Sequence, residues 1–195
     1  MRARPSRRVK ANEPDSRKQT AIIIGVAGVG LIGLLLLLFL NLREPPDIAG
    51  LMRFSGLSTA HDDTVVYPPA PRPPAGGVHA SSWQNCGIYE EPIETKYVLH
   101  SLEHGAVWVT YPPDASADDV ATLQTLARQR SYIILSPFEG QEAAVILTAW
   151  SLQLEVDSVS DRRIVQFLDR YERGPQTLEP LGSCSGAVGN PIDRT

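Results

Sequence analysis

The stretch His100-Ser-Leu-Glu-His-Gly105 sets two of the chain's four histidines four residues apart. On a helix, such residues stand one above the other with about 5–6 Å between their Cβ atoms, a spacing at which two imidazoles reach one ion. A metal site needs a third and usually a fourth ligand. His79 is the natural third and His61 the fourth, each from a loop that can fold back, and all four histidines fall within residues 61–104. Imidazole suits zinc and copper(II), whereas copper(I) carriers favour sulfur, and the only methionines are Met1 and Met52. Copper(II) or zinc is therefore the expected ion.

Two other chemistries compete for the same residues. H-x-x-E-H is also a zinc-protease pattern in which Glu103 would be the general base. That enzyme needs a further acidic ligand from a downstream helix. Glu139 and Glu142 lie in an expected turn and Glu155 near an expected strand, so a metal hydrolase ranks third and no catalytic residue is assigned. Glu103 is instead expected to accept a hydrogen bond from an imidazole N–H and orient the ring. The second-ranked reading is metal-free: His79, His100 and His104 form a hydrogen-bonded clasp in an interaction module of a membrane complex. Trp83, Trp108 and Trp150 sit in or beside apolar runs and are expected to pack in the core or an interface. Asp118-Asp119 opens a helix and serves its N-terminus. No Gly-rich phosphate loop, C-x-x-C pair or Gly-x-Ser-x-Gly elbow is present, which leaves nucleotide, thioredoxin-like and serine-hydrolase readings without support.

The elements that must position the histidines follow from pattern. Residues 94–104 (ETKYVLHSLEH) suit a short helix stopped by Gly105, and 106–111 (AVWVTY) suit a strand. Ser116 or Asp114 can cap the next helix, ADDVATLQTLARQR. The apolar runs SYIILSPF and AAVILTAW read as adjacent strands in a hairpin, with SLQLEVDS adding a strand or extending the second. DRRIVQFLDRYERG opens with Asp161 and ends at Gly174-Pro175. The run from Tyr67 to Val78 has five prolines in the seven residues after Tyr67 and reads as a stiff arm laid over the domain. The sum is a small α+β domain with helices packed on a mainly antiparallel sheet.

Ahead of it, residues 21–40 are twenty consecutive apolar residues. A helix of that length spans about 30 Å, the thickness of a bilayer's hydrocarbon core. The run exceeds a signal peptide's apolar region, and no A-x-A-like site follows. Residues 1–20 hold seven basic residues against Glu13 and Asp15, so the N-terminus is expected in the cytoplasm. From Arg43 onward there are 11 basic and 20 acidic residues, a net charge of −9, which argues against nucleic-acid binding. The expected layout is a basic tail (1–20), a single transmembrane helix in the lipid bilayer (21–42), a linker (43–60), an extracytoplasmic domain (61–189) and a short tail (190–195). Cys86 and Cys184, the only cysteines, would then lie in an oxidising space and form one disulfide. Closing a loop of nearly a hundred residues is worth about 3–4 kcal/mol if unstrained.

Several features, in this order, resemble the bacterial family catalogued as domain of unknown function 3105. They are the Pro-rich run leading to Gly77-Val78-His79, Trp83-Gln-Asn-Cys-Gly-Ile-Tyr89, His100-Ser-Leu-Glu-His-Gly105, Tyr111-Pro-Pro113, Ser136-Pro137 and Cys184-Ser-Gly186. The likeness runs from about His61 to Gly189. It departs where Gly76-Gly-Val-His79 stands in place of Ser-Gly-Pro-His. It implies an N-terminal membrane anchor and an extracytoplasmic domain, not a reaction. The leading expectation is a single-pass envelope protein with a non-catalytic histidine metal site and, as a further partner, another membrane or envelope protein.

Overall fold

The computed structural model describes residues 16–41 and 47–193. They belong to two compact units divided after Pro46. The first shows one helix, α1 (Ser16–Asn41), whose described side chains, Gly25 and residues 28–39, are exposed. Among the described residues no helix is long and apolar enough to cross a membrane. The expected span over 21–42 falls partly outside them, as do residues 1–15 of the basic tail, 43–46 of the linker and 194–195.

The second unit is a six-stranded mixed sheet with helices on both faces, an α+β fold. Its elements run β1 (Met52–Arg53), β2 (Gly87–Ile88), α2 (Thr95–Glu103), β3 (Val107–Tyr111), α3 (Ala117–Ala127), β4 (Ile133–Pro137), β5 (Val145–Ala149), β6 (Leu152–Val156) and α4 (Arg162–Tyr171). The strand order is β1-β6-β5-β3-β4-β2. The β1–β6, β6–β5 and β5–β3 pairs are antiparallel, and the β3–β4 and β4–β2 pairs are parallel.

This corrects the expected hairpin. The runs in β4 and β5 do not pair, because β3 lies between them, parallel to one and antiparallel to the other. Every residue of β3, β4 and β5 is buried, so no in–out alternation marks which neighbour each strand takes. The hairpin is β5–β6, with Val145 opposite Val156 and Ala149 opposite Leu152. SLQLEVDS is thus a strand of its own, reached through a two-residue turn in which Ser151 takes φ 62°. Residues ahead of His61 also join the sheet, since Met52 and Arg53 pair with Gln153 and Leu152.

Helix starts follow local chemistry. Ser116 Oγ accepts the Asp119 N–H at 3.1 Å and Asp161 accepts that of Arg163 at 2.8 Å, each satisfying an amide that the first turn leaves open. Alternate residues along the strands then feed two cores. Val107, Val109, Ile133 and Leu135 pack with α3 and α4 through Leu123, Ile164, Phe167 and Leu168. Trp108 and Ile134 face the other way and pack with Val98, Leu99 and Leu102 of α2. The Pro-rich arm lies against the sheet's β5–β6 end: Gln153 Nε2 donates to the Pro73 carbonyl at 2.7 Å and Ser151 N to that of Ala75 at 2.7 Å.

Candidate metal centre

Helix α2 carries His100 in its last turn and ends at His104. Gly105 stops it at φ +95°, and a Cβ there would come within 2.9 Å of the Arg173 backbone. A helix end leaves carbonyls without partners. Here the Glu103 carbonyl accepts from both Leu178 N (3.1 Å) and Glu179 N (2.8 Å), which brings the 178–183 loop beside His104. The loop backbone lies so close that a Cβ at Gly182 would fall onto the His104 ring.

On the other side, His79 and His61 are joined through backbone. His79 N donates to the Ala60 carbonyl (3.1 Å) and Asp62 N to that of His79 (2.7 Å), an isolated parallel bridge. Residues 80–84 are tied to α2 by Ala80 N on the Lys96 carbonyl (3.2 Å), and Ser101 Oγ bonds both the N–H and the carbonyl of Gln84. The four histidines therefore meet. Ring centroids lie 4.7 Å apart for His61–His79, 4.9 Å for His61–His100, 5.2 Å for His79–His100 and 4.7 Å for His100–His104. His79, His100 and His104 are buried and His61 is exposed.

The hydrogen bonds assign the tautomers. His79 Nδ1 lies 2.7 Å from the Gly77 carbonyl, His100 Nδ1 2.8 Å from that of Ala80, and His104 Nδ1 2.6 Å from that of Ser183. A carbonyl only accepts, so each Nδ1 carries the proton and, in the neutral ring, each Nε2 presents a lone pair. Metal-bound imidazoles are held in the same way, through the nitrogen remote from the ion. Burial keeps His79 and His100 below the ordinary imidazole value, which favours the neutral, ligating form. His79 Nε2 is buried with no hydrogen-bond partner among the described residues.

Among the described residues two groups of side chains can hold an ion: His61, His79 and His100, and His100, His104 and Glu179. Within each, the ligand atoms lie within 4.8 Å of one another. Glu179 was not anticipated, because LEPLG has no ligand spacing to betray it; only the open end of α2 brings it in. Its carboxylate sits 3.2 Å from His104 Nε2. The acidic candidates weighed for a hydrolase, Glu139, Glu142 and Glu155, are in neither group.

Glu103 also departs from expectation. Its carboxylate oxygen lies 3.4 Å from His79 Nε2, the nitrogen left for a metal, and not on the Nδ1 side where a ring-orienting carboxylate would stand. Burial, with Glu179 nearby, pushes its pKa up to about 7. In the metal-free chain its contribution to stability is intact below the ordinary value of 4.5 and is lost as pH rises to about 7. Glutamine does not ionise. With chelator present, Glu103→Gln is therefore expected to exceed the wild type in unfolding free energy at about pH 8, by on the order of 1–3 kcal/mol, with the difference closing at about pH 4.5. A pH-independent difference would show that Glu103 does not titrate in this window.

Trp108 is fully buried, as expected for core, and its Nε1 donates to Ser136 Oγ at 2.9 Å. The other two tryptophans border the histidines: Trp83 lies 5.0 Å from the His104 ring and 5.9 Å from that of His100, and Trp150 lies 5.7 Å from that of His79. Cys86 and Cys184 are joined as a disulfide, one residue from the Ser183 carbonyl that holds His104.

Fold and site together define a disulfide-pinned α+β domain with a largely buried cluster of histidines that could hold a metal ion. The family model described as a protein of unknown function (DUF3105) matches residues 59–186, and the chain belongs to that family. No curated protein and no solved structure matches the chain.

Proposed function

We propose that this chain is a single-pass membrane protein with a cytoplasmic N-terminus, whose folded domain outside the membrane binds one copper(II) or zinc ion in the histidine cleft without turning over a substrate. One observation carries the metal reading. Three imidazoles from two segments have Nδ1 committed to backbone carbonyls, which leaves Nε2 to bind, and His79 Nε2 is buried without a hydrogen bond, 3.4 Å from the Glu103 carboxylate. Leaving a buried acceptor unpaired costs about 1–3 kcal/mol, and coordination removes that cost. The anchor rests on the apolar run 21–40 and on exposed side chains such as Leu31, Ile32, Leu34 and Leu35, for which hydrocarbon is the matching solvent. The basic residues ahead of that run support the orientation.

The test uses the full-length chain in detergent. Elemental analysis is expected to find about one ion per chain, lost in His100→Ala. Copper(II) is expected to quench the fluorescence of Trp83 and Trp150, and Trp83→Phe to remove a large part of that change. A wild-type chain that takes up neither copper(II) nor zinc at micromolar concentration would sink the metal reading. The clasp reading would then stand, because the same Nδ1 bonds tie α2 to the 77–80 and 183 segments. Its mark is His104→Ala lowering the unfolding temperature equally with and without chelator.

A further inference from the structure

The two groups of ligands share one residue. His100 belongs to His61–His79–His100 and to His100–His104–Glu179, and its Nδ1 is held 2.8 Å from the Ala80 carbonyl. Only Nε2 is left to coordinate, and one lone pair binds one ion. The two groups are therefore alternatives. From this we infer that the cleft is a single-ion site with two positions, an all-nitrogen one on the His61 side and a mixed nitrogen–oxygen one on the Glu179 side, with His100 common to both. This rests on the metal reading above.

The burial pattern fits an ion that is passed along. His79, His100 and His104 are buried, whereas each group's third ligand is exposed: His61 on one side, and Glu179, with half its side chain in solvent, on the other. Nitrogens bound to one ion at about 2.0–2.1 Å stand no more than about 4 Å apart. Each group must therefore tighten from its 4.8 Å limit, and the exposed members have the freedom to do so. Releasing His61 and His79 while engaging His104 and Glu179 moves the ion without dissociating it from His100. Such a site exchanges its ion with a second ligand set at either mouth, as a carrier of divalent metal requires and a structural site does not.

Copper(II) added to the full-length chain in detergent tests this by stoichiometry and by electron paramagnetic resonance, whose hyperfine lines count bound nitrogens. The wild type is expected to bind one ion and to show two overlapping signals. His61→Ala is expected to keep one ion and only the two-nitrogen signal, and Glu179→Ala to keep one ion and only the three-nitrogen signal, each with affinity lowered by no more than about 10-fold. His100→Ala is expected to lower affinity by at least about 100-fold. Two ions per wild-type chain, or a single signal that neither exposed-residue variant alters, overturns the two-position site while leaving metal binding intact. No uptake by the wild type overturns the metal reading itself, and this with it. The His61 and Glu179 variants decide the matter even if His100→Ala fails to fold.

Discussion

Replacing Cys86 and Cys184 by serine is expected to lower the chain's unfolding free energy by about 2–5 kcal/mol and to loosen one half of the histidine cleft before the rest of the fold. The bridge joins residues 98 apart in sequence, so its removal returns a long loop's freedom to the unfolded chain. Both cysteines are buried, and the Cys86 N–H donates to the Cys184 carbonyl at 2.7 Å. The next carbonyl along, that of Ser183, holds His104 Nδ1. Freed from the sheet side, residues 183–188 depend on contacts such as those of Asn85 with the backbone of Ala187 and Gly189. Thermal unfolding of the wild type and the double variant, each with and without chelator, checks this. For a domain of this size each kcal/mol moves the midpoint by about 2–4 °C. Coincident wild-type and variant curves would show that the bridge carries no stability. If metal stabilises both chains equally, His104 does not depend on the bridge.

The helices and the disulfide were legible in the sequence because each has a local signature: apolar spacing with a capping Ser116 or Asp161, a stopping Gly105, and two cysteines with no other partner. Of the expected set His79, His100 and His104 with His61, the short spacing in HSLEHG and the clustering within residues 61–104 spoke for rings near one another, but not for a division that puts His104 with Glu179 and leaves His61 and His79 with His100. Sheet order was not legible. When β3, β4 and β5 are buried along their whole length, alternation vanishes and with it the clue to which strand lies between which. The strands β1 and β2 are two residues long, too short for any period. Glu179 was hidden for a different reason. Its place depends on a carbonyl that the end of α2 leaves without a partner inside the helix, about seventy-six residues earlier, and no local pattern in LEPLG encodes that. The expected hydrogen bond from an imidazole N–H to Glu103 is not made, because spacing on a helix fixes which rings are neighbours but not which nitrogen each presents. That choice is made by carbonyls at Gly77, Ala80 and Ser183.

Truncating Trp108 is expected to be the most damaging single change away from the histidines, with Trp108→Ala costing about 3–5 kcal/mol. Trp108 stands on the central strand β3, fully buried, with Leu99 and Leu102 of α2 in the same apolar cluster. It is therefore the floor on which the helix bearing His100 and His104 rests. Its removal opens a cavity under α2 and leaves Ser136 Oγ, also buried, without the Nε1–H that it accepts. Two variants separate these losses. Trp108→Phe keeps most of the ring volume and forfeits the hydrogen bond, at about 1–3 kcal/mol. Trp108→Phe with Ser136→Ala removes both polar partners and should recover part of that. Chemical unfolding of the three chains with chelator present measures the series. If the floor also sets the spacing of the two α2 imidazoles, copper(II) affinity should fall in the same order, Ala below Phe. A Trp108→Ala chain that loses stability but binds copper(II) as the wild type does would mean that the cleft is held by its backbone carbonyls alone, independently of the core beneath it.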